Sequence, residues 1–235
     1  MFDAIVITCE HAGNHIPPAY LYLFEGKEEL INSHRGWDPG ALEAARYLAD
    51  GLQAPLFYTE TCRLLVEANR SIGFKDHFSE YTSGLPDKEK QVIIEEYYMP
   101  FRRQAEAFLE HLIYSDKNVL HLSVHSLTPV LNGRIREMDI SFLFDEAREA
   151  EYEFCKALKA ALLEKDSKLA VKFNYPYLGT DDGFTTHLRR LFTGDKYAGI
   201  EIEFNQQYIL DNDKARWKHM QYLLLDAIKN TARLA

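Results

Sequence analysis

An α/β fold is what this sequence predicts, and three features carry the prediction. Short runs rich in Ile, Val, Leu and Phe alternate with longer stretches of helical period, the pattern of a sheet covered by helices. Most of these runs are short and predominantly apolar, as buried strands are. Clusters of Gly, Pro and Asp separate the segments.

Taken in chain order, residues 4–8 form the first strand and residues 13–18 a Gly- and Pro-containing loop. A helix is expected over 38–52, with Leu42, Ala45, Leu48 and Leu52 on one face, Asp38 placed as its N-cap and Pro39 at the first helical position. A strand at 55–59 precedes a long helical region over 86–114 that Pro100 interrupts. Strands follow at 119–124 and 140–144, then a helix over 145–164 with Phe154, Leu158 and Leu162 in register. A strand at 169–173, a loop at 176–183, a strand at 199–204 and a helix over 211–234 complete the chain. No linker divides it, so residues 1–235 are expected to form one domain.

Composition narrows the function classes. With 46% apolar and 27% charged residues the chain has ordinary globular usage, and no repeat or low-complexity stretch is visible. A formal net charge of -9 argues against a nucleic-acid-binding surface, which needs clustered Lys and Arg. Cys9, Cys62 and Cys155 are widely spaced and odd in number, which suggests neither a disulfide framework nor a Cys-rich zinc site and fits a reducing cytoplasm. The N-terminus lacks a basic, apolar leader, and no apolar run is long enough for a membrane span. A cytoplasmic location is expected, with neither nucleic acid nor membrane as a partner.

Four segments could carry chemistry. Thr8-Cys9-Glu10-His11 continues directly from the first strand, at the carboxyl end where α/β sheets gather their ligands. In His121-Leu122-Ser123-Val124-His125-Ser126, alternation puts His121, Ser123 and His125 on one face; His121, deeper in the strand, reads as a hydrogen-bonded structural residue. Two strands that both end in His suggest a metal site assembled from distant segments. A catalytic zinc takes three protein ligands and leaves a position for water, so a third donor is needed beside His11 and His125. Asp38, Glu10 and His34 are the candidates, and Asp38 has its rival role as the helix cap. Asn69-Arg70 offers a fork and an amide suited to a carboxylate, although a surface ion pair would look the same. In the last strand Ile200, Ile202 and Phe204 share one face, leaving Glu201, Glu203 and Asn205 on the other; either a half-exposed strand or a catalytic carboxylate fits that pattern.

Cys9-Glu10-His11-Ala12-Gly13-Asn14, Trp37-Asp38-Pro39-Gly40, Arg63 with Asn69-Arg70, His125-Ser126-Leu127-Thr128-Pro129 and Glu203-Phe204-Asn205 together resemble, in order, the N-formylglutamate amidohydrolase family. The resemblance extends over nearly the whole chain. It implies the three-layer α/β/α sandwich around a mixed sheet of the phosphorylase/hydrolase-like, zinc carboxypeptidase-like folds, and one zinc ion. In the carboxypeptidase-like relatives an early H-x-x-E supplies two ligands, a later strand a second His, an Asn-Arg pair the substrate carboxylate site and a late strand the Glu base. His11, His125, Asn69-Arg70 and Glu203 occupy those places. The chain departs from the pattern at Asn14, a poor substitute for an anionic ligand, and at Glu67, where related sequences often carry Asp.

The resemblance therefore implies an amidohydrolase that removes the N-acyl group of a small N-acyl amino acid such as N-formylglutamate. Its expected metal ligands are His11, Asp38 and His125, its base Glu203 and its substrate site Asn69 and Arg70, with Arg63 helping to stabilise the oxyanion. A substrate with two carboxylates needs a second basic group, for which Arg63, Arg134 and Arg136 are available, Arg134 being the one placed with Asn69 and Arg70. The loop around Tyr177 and Thr180-Asp181-Asp182-Gly183 looks like a substrate-side element. A deacylase of another N-acyl amino acid or short peptide, and a carboxylate-binding relative that has lost the metal, are the alternative readings.

Overall fold

The computed structural model describes residues 2–232. Its centre is a six-stranded sheet in the order β2-β1-β3-β8-β6-β7. The strands are β1 (Ala4–Cys9), β2 (Leu56–Tyr58), β3 (Val119–Leu127), β6 (Ile140–Leu143), β7 (Val171–Phe173) and β8 (Tyr197–Asn205). β1 runs parallel to β2 and β3, and β3 parallel to β8; β6 is antiparallel to β8 and parallel to β7, so the sheet is mixed. All six expected strands are present. Between β3 and β6 lies a hairpin of β4 (Val130–Leu131) and β5 (Arg134–Ile135), turning through Asn132 and Gly133 with φ of 51° and 74°. That Asn-Gly pair is the usual signal of such a turn, and the sequence reading passed over it.

The helices are α1 (Glu28–Ile31), α2 (Ala41–Leu52), α3 (Asp87–Ile93), α4 (Met99–Tyr114), α5 (Glu149–Lys165), α6 (Phe184–Leu191), α7 (Gln207–Leu210) and α8 (Lys214–Ala232). They form two outer layers. α2, α5 and α8 bury their apolar stripes on the sheet face that carries Ile5, Ile7, Leu120, Leu122, Val124, Ile200, Ile202 and Phe204. α4 and α6 cover the other face against Val6, Val119 and Tyr197. The molecule is an α/β sandwich.

Several boundaries differ from expectation for identifiable reasons. Asp38 does not cap the helix with its side chain, and Pro39 is not its first residue: α2 starts at Ala41 and its cap is Gly40, with φ of 82°. A Cβ on Gly40 would lie 2.2 Å from Ile209 Cδ1 and 2.9 Å from Trp217 Cζ2, so close packing against α7 and α8 as well as the backbone angle requires glycine there. The interruption at Pro100 becomes a π-helical turn over Ile94–Tyr98, which joins α3 to α4 and accommodates the missing N–H. Asp145 accepts from the Ala147 N–H in a turn ahead of α5 rather than lying within the helix. α6 was not expected, and the end of the last expected helix, beyond residue 232, lies outside the described residues.

Candidate active site and metal centre

Along the face covered by α4 and α6, the side chains change from apolar to polar as the parallel strands run toward their carboxyl ends. Val6, Val119 and Tyr197 give way to Thr8, Ser123, His125, Glu201 and Glu203, all buried. In the β3·β8 register His125 sits beside Glu203 and Ser123 beside Glu201. β8 is buried along its whole length, so the alternative of a half-exposed strand does not apply. The turn after β1 delivers Glu10 and His11, the segment before α2 delivers Asp38, and the segment after β2 delivers Arg63, Glu67, Asn69 and Arg70.

His11, Asp38 and His125 converge, with donor atoms within 4.8 Å of one another and all three residues buried. Both imidazoles present Nδ1 to the same oxygen: His11 Nδ1 lies 3.1 Å and His125 Nδ1 3.0 Å from Asp38 Oδ2. Both use Nε2 for a second carboxylate. His11 Nε2 donates to Glu67 Oε1, and His125 Nε2 lies 3.1 Å from Glu10 Oε2 and 2.9 Å from Ser123 Oγ. Glu10 is itself held by the hydroxyls of Thr8 and Ser123 at 2.6 and 2.7 Å. Metal-ligating histidines are built this way, one nitrogen facing the ion and the other fixed by a carboxylate.

The electrostatics match. Burial alone would raise the Asp38 and Glu67 carboxyls, but His11 and Arg63 beside both, with His125 also hydrogen-bonded to Asp38, hold them well below the usual carboxylate range. Glu10, where burial is outweighed by His125 and the two hydroxyls, is lowered to about 2. Burial works against charging His11 and His125, yet the surrounding carboxylates raise both above the ordinary histidine value. A field that favours a proton on each ring favours a divalent cation between them, and the nitrogen and oxygen donors suit zinc. The donor set therefore fits the group expected there.

Glu203 behaves differently. It lines the cleft, its Oε2 is buried with no hydrogen-bond partner among the described residues, and its pKa is pushed up to about 7. Burial is the main cause; Asp38 and Glu201 add to it, against the two histidines. A carboxyl poised near neutrality can both accept and donate a proton.

Arg63 donates to Glu67 Oε2 from Nε at 2.7 Å and to Asp38 Oδ1 from Nη1 at 3.2 Å. Asn69 donates its backbone N–H to Glu67 at 3.0 Å, while its Oδ1 accepts from the Phe184 N–H at 2.7 Å. Gly183 packs so closely there that a Cβ would lie 3.1 Å from both Asn69 Oδ1 and Glu201 Oε1. Arg70 donates to the carbonyls of Asn69 and Asp182, each at 2.8 Å, and makes no ion pair among the described residues. Asp182 latches this segment by accepting from the Ser71 N–H and hydroxyl at 2.8 and 2.6 Å.

His34 lines the same cleft but is not in the converging group, and Glu10 lies behind His125. β1 ends at Cys9, and the Glu10 side chain lies on the same face as Thr8 and Ser123, whose hydroxyls donate to it. Arg134 is exposed on β5 and does not line the cleft, whereas Arg136, two residues on, is buried and does. His121 is structural: it donates from Nε2 to Thr8 Oγ1, whose own hydrogen goes to Glu10, and accepts from the Tyr197 hydroxyl at Nδ1, both at 2.7 Å. Sequence reasoning missed the crosswise pairing of Glu67 with His11 and of Glu10 with His125. Each acid is near a recognised residue in the chain, but its partner comes from another segment.

Comparison with known proteins agrees with this geometry. The family model FGase, N-formylglutamate amidohydrolase, matches residues 3–210. The chain belongs to that family. Its members are hydrolases of amide bonds, and the cleft just described lies within the matched region. Among solved structures, the chain is similar to the gene product Atu2144 of Agrobacterium tumefaciens, at 27% identity over 97% of this chain and 91% of that one, with a TM-score of 0.79. It shares the fold of an N-formylglutamate amidohydrolase from Ralstonia eutropha JMP134, at 16% identity over 98% and 95% of the two chains and a TM-score of 0.66. No curated protein matches. No helix of the described residues is long and apolar enough to cross a membrane.

Proposed function

We propose that this amidohydrolase is metal-dependent and hydrolyses the N-acyl amide of a small N-acyl amino acid, with N-formylglutamate as the first substrate to test. One observation carries the reading: two histidines turn Nδ1 toward Asp38 while separate carboxylates hold each Nε2, beside a buried Glu203 whose Oε2 has no partner. His11, Asp38 and His125 would hold a single zinc ion. When bound, it supplies Lewis-acid chemistry, acidifying water and polarising the acyl carbonyl.

The remaining work falls to the protein's own groups. Glu203 accepts the proton of the attacking water at Oε2 and returns it to the departing nitrogen as the amide C–N bond breaks. Asn69 and Arg70 bind the α-carboxylate of the substrate and fix the scissile amide relative to Glu203. Because Arg63 is engaged by Glu67 and Asp38, we assign it the positioning of both acids instead of direct oxyanion stabilisation.

Glu203→Gln tests the central assignment. Its zinc content, measured by atomic emission on protein purified without added metal, should equal that of the wild type at one per chain, while kcat falls by about 100- to 10,000-fold. Retained turnover would remove Glu203 from this role, and wild-type protein that neither carries nor takes up zinc would remove the metal.

A further inference from the structure

Three arginines line the cleft, and they differ in how their charge is used. Arg63 is neutralised by Glu67 and Asp38. Arg70 donates only to backbone carbonyls among the described residues, as expected of a guanidinium that waits for the substrate's α-carboxylate. Arg136 is the third. It is only 8% exposed, yet it makes no ion pair among the described residues. Of the five N–H donors a guanidinium carries, it gives one to the Thr128 carbonyl at 3.3 Å and one to the Tyr177 hydroxyl at 2.7 Å. The Tyr177 ring lies under it at 5.3 Å. Its backbone is pinned as well: the Arg136 N–H donates to the Pro129 carbonyl at 2.8 Å, and its carbonyl accepts from Asn205 Nδ2 at 3.2 Å.

Among the described residues no carboxylate forms an ion pair with it. Of the acids lining the cleft, Asp182 is turned to Ser71, Asp181 to the Leu178 N–H, Glu201 to the Thr185 hydroxyl, and Asp38 to the two histidines and Arg63. A rigidly held, buried guanidinium with donors to spare and no counter-ion is costly unless a ligand supplies the anion. Arg70 and Arg136 are anchored by separate segments and line one cavity of about 160 Å³.

We propose that Arg136, backed by Tyr177, is a second anion subsite that takes the side-chain carboxylate of an N-acyl dicarboxylic amino acid. This rests on the hydrolase reading given above, in which Asn69 and Arg70 take the α-carboxylate. It also explains the hairpin: the Asn132-Gly133 turn leaves Arg134 in solvent and returns the chain so that Arg136 enters the cleft. A monocarboxylic substrate leaves Arg136 unpaired, so the site discriminates by charge and not by length alone.

The test compares kcat/KM for N-formyl-L-glutamate with that for N-formyl-L-glutamine, its isosteric side-chain amide. The wild type should favour the dicarboxylate by about 10- to 100-fold, the worth of a charge-assisted pair, and Arg136→Gln should collapse that ratio toward one. A wild-type ratio near one, or a ratio unchanged in Arg136→Gln, overturns the subsite. The wild-type comparison needs no variant, so a misfolded Arg136→Gln leaves the test intact. Titration calorimetry with L-glutamate and L-glutamine reads the same preference without turnover. Should neither formyl compound be hydrolysed, tighter binding of glutamate that is lost in Arg136→Gln keeps the subsite while the hydrolase reading falls; equal binding of the two amino acids overturns the subsite itself.

Discussion

The two faces of β3 are built on opposite principles. Leu120, Leu122 and Val124 point toward α2, α5 and α8, into a core with few polar atoms. His121, Ser123 and His125, interleaved with them, point to the other side and are just as deeply buried. On the first face any side chain of suitable volume and shape suffices, because burial is non-directional. On the second, each residue needs a particular partner: Tyr197 and Thr8 for His121, Glu10 for Ser123, Asp38 and Glu10 for His125. The one buried side-chain atom of the cleft left without a partner among the described residues belongs to Glu203. Stability comes from the apolar face, and the polar face carries the unsatisfied atom that chemistry can use.

Separating the two faces is therefore the sharpest experiment on the fold. Leu122→Ala removes a fully buried side chain from the apolar face and should lower unfolding free energy by about 2–5 kcal/mol in urea titration, leaving the zinc content proposed above unchanged per folded molecule. Loss of zinc from the folded variant would show that the two faces are not independent.

The same contrast explains what was legible in the sequence. The six strands could be read because runs such as residues 4–8 and 140–144 are short and mostly apolar, and the layered architecture follows from their alternation with helices. His11, His125 and Glu203 stood out because a polar residue interrupts or ends an apolar strand. Asp38 was ambiguous, since Asp-Pro ahead of a helical stretch is also a capping signal; tertiary contact with His11, His125 and Arg63 decides its use. Arg134 and Arg136 are alike in sequence, and only the turn between β4 and β5 determines which one is buried. The partnerships of Glu10 and Glu67 depend on how distant segments meet, which no local pattern encodes.

A smaller effect concerns His121. Its pKa is depressed from the ordinary 6.5 to about 4, chiefly by burial, with Arg189, His125 and Arg102 adding to it against Glu10. The folded protein keeps His121 neutral, so its contribution is fully present above pH 6.5. As pH falls through that value the unfolded chain takes up a proton that the native state refuses, and stability declines until about pH 4. The shift corresponds to at most about 3 kcal/mol. His77, also lowered to about 4, titrates over the same window, so the measurement is the difference in slope between the wild type and His121→Gln. Parallel stability profiles for the two proteins would remove His121 as the cause.

The smallest effect expected distinguishes the two carboxylates behind His11 and His125, the proposed metal ligands. Glu10 is fully buried and meets only Thr8, Ser123 and His125, so its function is confined to orienting the His125 ring. Glu67 reaches further, since it holds His11, takes the fork of Arg63 and accepts the N–H of Asn69 in the segment proposed to bind the substrate carboxylate. Glu10→Gln should weaken zinc retention by about 10- to 100-fold, read by competition with a chelator, with KM unchanged once the site is saturated. Glu67→Gln should weaken zinc comparably and also raise KM, because the carboxylate that takes the fork of Arg63 and holds the Asn69 N–H is lost. A Glu10→Gln variant that keeps wild-type zinc affinity would show that Ser123 alone suffices to orient His125, whereas a raised KM in that variant would mean that the metal face and the substrate face of the cleft are coupled through β3.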